Sequence, residues 1–215
     1  MRNLICAYND FSLWEIKERN ELPYLDQFVL KVYYYHHLKQ NYYPQDELSM
    51  MIQEDNDSLM NSSFFVAYDN SRRIIGTIKL QKWDGENELS IEKDFKVDLK
   101  KIIRSLPLKP RQIYHIGRFA IDQNLIRRDP GLTQNRLKIL KLLMYYALFP
   151  VFEKKSNIFL CECDDKLLTK LKLLGIYPQV IGPPKVHLGS KTLPIYCNHD
   201  GIKEFIKQND CLSYV

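Results

Sequence analysis

The sequence predicts a mixed α/β (α+β) fold, a sheet with helices on both faces, and three observations carry that expectation. Stretches of helical and strand periodicity alternate along the chain instead of segregating into blocks. A β-hairpin is legible at Phe64 to Tyr68 and Ile74 to Trp83, two runs rich in β-branched and aromatic residues that flank the turn chemistry of Asp69-Asn70-Ser71. A strand-like run from Ile113 to Asp122, IYHIGRFAID, is followed closely by a basic amphipathic helix. With 215 residues and no linker rich in Gly, Ser or Pro, residues 1–215 are expected to form one domain. A content of 45% hydrophobic and 12% aromatic residues can build its core.

In chain order, Leu22 to Lys39 keeps Leu25, Phe28, Val29, Val32 and Tyr35 near helical spacing, and Tyr33, Tyr34, Tyr35, His36 and His37 crowd its end. Consecutive helical residues diverge by about 100°, so His36 and His37 do not face one metal. A second helix is expected from Gln45 to Glu54, after Pro44. Beyond the hairpin, Leu89 to Leu106 reads as a strand followed by a short helix at Val97 to Ile103. The Ile113 strand then enters a polar loop, Gln123 to Leu132, with Thr133 as the cap of the next helix. There Leu137, Leu140, Met144, Ala147 and Leu148 make the apolar face, with Arg136, Lys138 and Lys141 largely elsewhere on the wheel. Asn157 to Cys163 reads as a strand and Asp165 to Leu174 as a helix ended by Gly175. Two short strands, VHL and LPIYC, surround Gly189-Ser190, and a last helix covers Gly201 to Lys207.

Several classes are excluded. The longest strongly apolar stretch, Leu142 to Phe152, contains Pro150 and falls far short of the roughly 20 residues of a membrane span. The first twenty residues lack the continuous apolar core of a secretory signal, so a cytoplasmic protein is expected. Cys6, Cys161, Cys163, Cys197 and Cys211 are odd in number and irregularly spaced, which predicts reduced thiols and neither a disulfide framework nor a metal site. A net charge of +5 suits an anionic partner, such as a phosphorylated cofactor or an acidic protein. Basic residues alternate with acidic ones and no recognition module is present, so nucleic acid is not the expected partner.

The candidate site gathers around the Ile113 strand. A strand that leads through a loop into a helix offers free backbone N–H groups and the positive end of the helix dipole to a phosphate. Gly131 and Thr133 lie there, and Arg127, Arg128 and Arg136 add cations that pair with phosphate oxygens. Within the strand, alternation puts His115, Gly117, Phe119 and Ile121 on one face and Ile116, Arg118, Ala120 and Asp122 on the other. A histidine titrates close enough to neutrality to act as a general base, although a core histidine held by hydrogen bonds has the same sequence signature.

The strand IGRFAID, its helix, the strand NIFLCEC, the helix ending in LLG and the segment GIYPQVIGPPKVHLGSKTLPIYC together resemble the GNAT fold, in its acyl-homoserine-lactone synthase and long-chain N-acyl amino acid synthase branch. Arg118-Phe119 is similar to the Arg-Phe of that branch, and Gly175 with Gly182-Pro183-Pro184 to its Leu-Gly and Gly-Pro-Pro stretch. LSIEKDFKVDL, Leu89 to Leu99, is similar to the segment before its central strand; the resemblance covers roughly Phe64 to Cys197.

It implies a GNAT-like, mostly antiparallel sheet with a splayed central parallel strand pair. It also implies transfer of an acyl group from a thioester, on acyl carrier protein or coenzyme A, to the amine of an amino-acid-like small molecule. No cofactor is held permanently. Where relatives keep a carboxylate three residues before the Arg, this chain has His115, so an imidazole becomes the candidate base, and His115 and Arg118 are the candidate catalytic residues. Phe119, Ile121, Arg127, Arg128, Gly131, Thr133 and Arg136 are then candidates for the donor, and Tyr34 and Trp83 for the acceptor. The loop lacks the paired glycines of a typical coenzyme A binder, which favours a carrier-bound donor. Leu171 stands where many acetyltransferases place a Tyr acid. The alternatives are an acetyl-coenzyme A transferase and a catalytically silent GNAT-like binding module.

Overall fold

The computed structural model of the chain describes residues 2–210 and 212. In chain order its elements are β1 (Arg2–Ala7), β2 (Phe11–Ile16), α1 (Leu22–Tyr33), α2 (Gln45–Ser58), β3 (Ser62–Asp69), β4 (Ile74–Lys82), α3 (Ser90–Phe95), α4 (Leu99–Ser105) and β5 (Ile113–Ile121). There follow α5 (Gln123–Arg128), α6 (Pro130–Phe152), β6 (Ile158–Asp164), α7 (Asp165–Leu173), β7 (Gln179–Val180), β8 (Lys185–His187), β9 (Ser190–Asn198) and α8 (His199–Gln208). Hydrogen bonding orders the strands β1-β2-β3-β4-β5-β6-β9-β7, with β8 also on β9. The β5–β6 pair is parallel and the other registered pairs are antiparallel.

The described residues divide into two compact units, one of residues 2–80, 118–147 and 212, the other of Gln81–Gly117 and Leu148–Asp210. In the first, β2 pairs with β3 from Phe11↔Asp69 to Ile16↔Phe64 and with β1 on its other edge. Phe11, Leu13 and Ile16 are buried while Ser12, Trp14 and Glu15 are less so, the period-2 pattern of a strand with one core face. This amino-terminal strand pair was not anticipated. Ile16, Leu22, Leu25, Phe64 and Val66 form a core cluster that ties α1 to the strands.

In the second unit β6 pairs with β9 along its whole length, from Ile158↔Asn198 to Asp164↔Thr192. Its parallel ladder with β5 has three registered pairs, Ile113↔Ile158, Tyr114↔Phe159 and His115↔Leu160. Leu89, Ile91, Phe95, Val97, Leu99, Ile113, Ile158 and Leu160 form the core there.

Four local expectations are corrected. Leu89 to Leu106 holds two helices and no strand, because Ile91 and Phe95 recur at helical spacing and the Glu92 carboxylate accepts from the Leu89 N–H, closing the first turn. The polar segment after β5 is helical: Asp122 accepts from the N–H groups of Asn124 and Leu125, and Asp129 from that of Leu132. Asp129, with Pro130 next to it, is therefore the cap that Thr133 was expected to be. Thr133 lies inside α6 and donates its hydroxyl to the Ile126 carbonyl. Along α6 the expected Met144, Ala147 and Leu148 are buried together with Leu132, Ile139, Leu142 and Leu143, whereas Leu137, placed on the same face by the spacing, is 51% exposed.

Among the described residues no helix is long and apolar enough to cross a membrane. Cys6, Cys161, Cys163 and Cys197 are buried free thiols, and Cys211 lies outside the described residues.

Candidate active site

β5 carries one residue more than regular pairing with β4 allows. Trp83 N–H donates to the Ile113 carbonyl and Asp122 N–H to the Ile75 carbonyl. Eight residue steps separate Ile75 from Trp83, but nine separate Ile113 from Asp122. One extra residue in one strand is a β-bulge, a device common beside active sites. Arg118 has φ +53°, the left-handed conformation that costs a non-glycine residue about 1–2 kcal/mol.

Its guanidinium supplies the compensation. Arg118 Nε donates to Asp55 Oδ2 at 3.1 Å, and Nη2 donates to Asp55 Oδ1 and Glu54 Oε2, each at 3.0 Å. Lys79 Nζ approaches the same Asp55 from β4, at 2.8 Å, and donates to Ser58 Oγ at 2.7 Å. Burial alone would raise the Asp55 carboxyl, but Arg118 and Lys79 outweigh it and hold Asp55 well below the usual carboxylate range.

Asp26 of α1 completes the cluster, with Oδ1 3.9 Å from Arg118 Nε. It is fully buried, and neither of its oxygens accepts a hydrogen bond among the described residues. Burial first, and then the charge of Asp55, push its pKa up to about 9. Asp26 therefore keeps its proton at neutral pH, as a donor facing an ionised neighbour.

His115 belongs to a second cluster. Its Nε2 is 2.8 Å from Glu162 Oε2 on β6, and the Ser90 hydroxyl at the start of α3 donates to Glu162 Oε1 at 2.7 Å. Ser90 Oγ also lies 3.4 Å from Nε2. The His115 and Glu162 side chains are only 10% and 13% exposed. Burial opposes ionisation of Glu162, but His115 and then Ser90 outweigh it and draw its pKa down to about 2. An imidazole hydrogen-bonded to a buried carboxylate is the arrangement of an oriented general base.

The other expected residues have these places. Phe119 is half-buried, and its carbonyl accepts from the Tyr33 hydroxyl at 3.1 Å; Ile121 is buried. Arg127 and Arg128 are exposed in the last turn of α5, and Arg136 is exposed on α6. At Gly131, in the first turn of α6, a methyl group would collide with the Asp10 carboxylate. Asn135 Nδ2 donates to Asp10 Oδ2 at 3.0 Å, so a carboxylate of the chain itself lies against this helix start. Tyr34, in a π-helical turn at Tyr34–Leu38, donates to Glu47 at 2.7 Å, and burial with Glu47 raises its hydroxyl pKa to about 12. Trp83 donates its indole N–H to the Asn87 carbonyl and packs on the α3–α4 core.

A surface cavity of about 370 Å³, lined by Phe95, Lys96, Lys101, Ile102 and Gly182 among others, holds none of these residues. Among the described residues no group of three or more His, Cys, Asp or Glu is placed to hold a metal ion.

Sequence reasoning missed Asp26, Asp55, Lys79, Glu162 and Ser90. One signal marks three of them: Asp26 interrupts the apolar stripe of α1, Lys79 the run TIKL and Glu162 the run FLCEC, as His115 interrupts its own strand.

No protein-family model and no curated protein matches this sequence. Solved structures do match. The N-acyl amino acid synthase FeeM, from uncultured soil microbes, aligns at TM-score 0.57 and 16% identity over 100% of this chain and 97% of that one. The CoA-dependent acyl-homoserine lactone synthase BjaI, solved with SAM and isopentyl-CoA, aligns at TM-score 0.57 and 15% identity over 92% and 87%. An acetyltransferase of the GNAT family from Staphylococcus aureus Mu50 aligns at TM-score 0.53 and 16% identity over 88% and 99%. At such identities the likeness shows the fold, which is GNAT-like.

Proposed function

We propose that this chain is an N-acyltransferase that moves an acyl group from a thioester, on acyl carrier protein or coenzyme A, to the amine of an amino-acid-like small molecule. The observation that carries the reading is His115, a buried imidazole bonded to Glu162 and three residues ahead of the Arg118 bulge, on a strand of a GNAT-like sheet. FeeM and BjaI, of like fold, are by name an N-acyl amino acid synthase and a CoA-dependent acyl-homoserine lactone synthase.

In this mechanism His115 takes a proton from the attacking amine as the C–N bond forms at the thioester carbonyl. The oxyanion collapses, the C–S bond breaks, and the thiolate leaves with its electron pair to be protonated by the imidazolium. Leu171 offers no acid, and a thiolate needs little help because its conjugate acid has a pKa of about 8.5 in the cysteine reference case. Phe119 and Ile121 line the path of the donor arm. The exposed Arg127, Arg128 and Arg136 meet its phosphate, since Asp10 lies against the helix start at Gly131, and Thr133, inside α6, gives its hydroxyl to the Ile126 carbonyl. Tyr34 and Trp83 remain the candidates for the acceptor. A silent module loses its main support, because a carboxylate returns to the base on a second strand as Glu162.

The test is release of free thiol from acyl-carrier and acyl-coenzyme A thioesters of several chain lengths, with and without amino acids as acceptors. Amine-dependent release is expected, and His115→Ala should slow it at least about 100-fold, the lower range of general-base contributions. No release with any donor and acceptor sinks the reading; an unchanged rate in His115→Ala removes the imidazole from it.

A further inference from the structure

The groups around His115 determine which ring nitrogen carries the proton. A neutral imidazole has one donor and one acceptor nitrogen. Glu162 is ionised at neutral pH and only accepts. Ser90 spends its one proton on Glu162 Oε1, at 2.7 Å, so toward Nε2, 3.4 Å away, it presents only lone pairs. Both neighbours of Nε2 are therefore acceptors, and the proton resides on Nε2.

The other nitrogen faces different surroundings. Nδ1 has no hydrogen-bond partner among the described residues. Next to it lies Gly117, where a methyl group would come 3.5 Å from Cε1 and 3.9 Å from Nδ1. A glycine there puts no side chain against the Nδ1 edge of the ring, and a branched residue would fill that space.

We propose that Glu162 and Ser90 are positioning residues that fix His115 as its Nε2–H tautomer, so that the Nδ1 lone pair beside Gly117 receives the proton of the acceptor amine. The function of that lone pair rests on the acyl-transfer reading; the tautomer does not. The step balances: the amine proton passes to Nδ1 as the C–N bond forms, and the imidazolium faces an ionised Glu162. The same proton then goes to the departing thiolate and restores the starting tautomer. The base that relatives place on one strand is here divided between an imidazole on β5 and a carboxylate on β6.

The test is a long-range 15N–1H correlation spectrum of the uniformly 15N-labelled full chain, with the His115 signals assigned by their loss in His115→Gln. The Nε2–H tautomer is expected for His115. In Glu162→Gln, whose amide can donate to Nε2, the Nδ1–H form should appear and amine-dependent thiol release should fall about 100-fold, as expected for a base in the wrong tautomer. Gly117→Val should leave the tautomer as it is and still slow thiol release. An Nδ1–H tautomer in the parent, or a tautomer in Glu162→Gln identical to the parent's, overturns the proposal. The Nε2–H tautomer with the expected Glu162→Gln shift, in a protein that releases no thiol with any donor, confirms the lock and overturns acyl transfer alone.

Discussion

A buried acid whose oxygens receive no hydrogen bond is held in its protonated form, and among the described residues Asp26 is such a group. Its folded-state pKa of about 9 lies above the ordinary 3.8, so the folded chain binds a proton that the unfolded chain has released across that interval. Stability from this group is fully present below pH 3.8, declines as pH rises, and is lost above about pH 9. The slope is at most about 1.4 kcal/mol per pH unit, one proton's worth. Asp26→Asn keeps the shape and the hydrogen-bond donor toward Asp55 without the titration. Urea denaturation of both proteins at pH 6 to 9 should show the parent losing stability relative to the variant as pH rises; parallel curves would mean that Asp26 is ionised throughout. His115 and Arg118 were legible because each is polar within an apolar strand, but their partners were not. Asp26 and Asp55 reach Arg118 from α1 and α2, Lys79 reaches Asp55 from β4, and Glu162 reaches His115 from 47 residues further along the chain, separations that a single sequence does not close.

At the level of elements, the bulge in β5 sets a left-handed backbone against an ion cluster, and substitutions can separate the two. Arg118→Ala removes the guanidinium from the buried Asp55 and leaves a side chain at φ +53°; a loss of roughly 2 kcal/mol is expected, because Asp55 keeps Lys79 as a cation but loses its two hydrogen bonds from Arg118. Arg118→Gly removes the same ion pairs but relieves the backbone, and should be the more stable of the two by about 1 kcal/mol. Equal denaturation midpoints would show that the strand straightens once the guanidinium is gone, so that the ion pairs and not the chain path maintain the bulge. This feature was hidden in the sequence, because alternation assigns faces as if a strand had no extra residue. The hairpin of β3 and β4 was legible from its turn. The helix at Ser90 was not legible because two apolar positions four residues apart fit either period until the Glu92 cap is seen, and the start of α6 was not legible because Asp129-Pro130 serves equally as turn chemistry and as a helix cap.

For the molecule as a whole, what was legible was an order of motifs, IGRFAID, then NIFLCEC, then LLG and GPP, which the GNAT-like fold accounts for. The identity of the donor was not legible, because it depends on how charges are distributed over the folded surface. Two observations bear on it. Asp10 lies against the first turn of α6, where its negative charge repels a pyrophosphate, while Arg127, Arg128 and Arg136 remain exposed. The net charge of +5 attracts an acidic partner over a distance that added salt shortens, the screening length falling to about 8 Å at 0.15 M. On the acyl-transfer reading we therefore propose a carrier protein as the donor, since it brings one phosphate and an acidic surface instead of a pyrophosphate. Calorimetric titration should show binding of acyl carrier protein that weakens as salt is raised from 50 to 300 mM, an interval of about 2.4-fold in screening length, and little binding of coenzyme A. Asp10→Asn removes the charge at the helix start and should strengthen coenzyme A binding while leaving carrier binding nearly unchanged. Micromolar coenzyme A binding by the parent, insensitive to Asp10→Asn, would instead make coenzyme A the donor and place its phosphates away from α6.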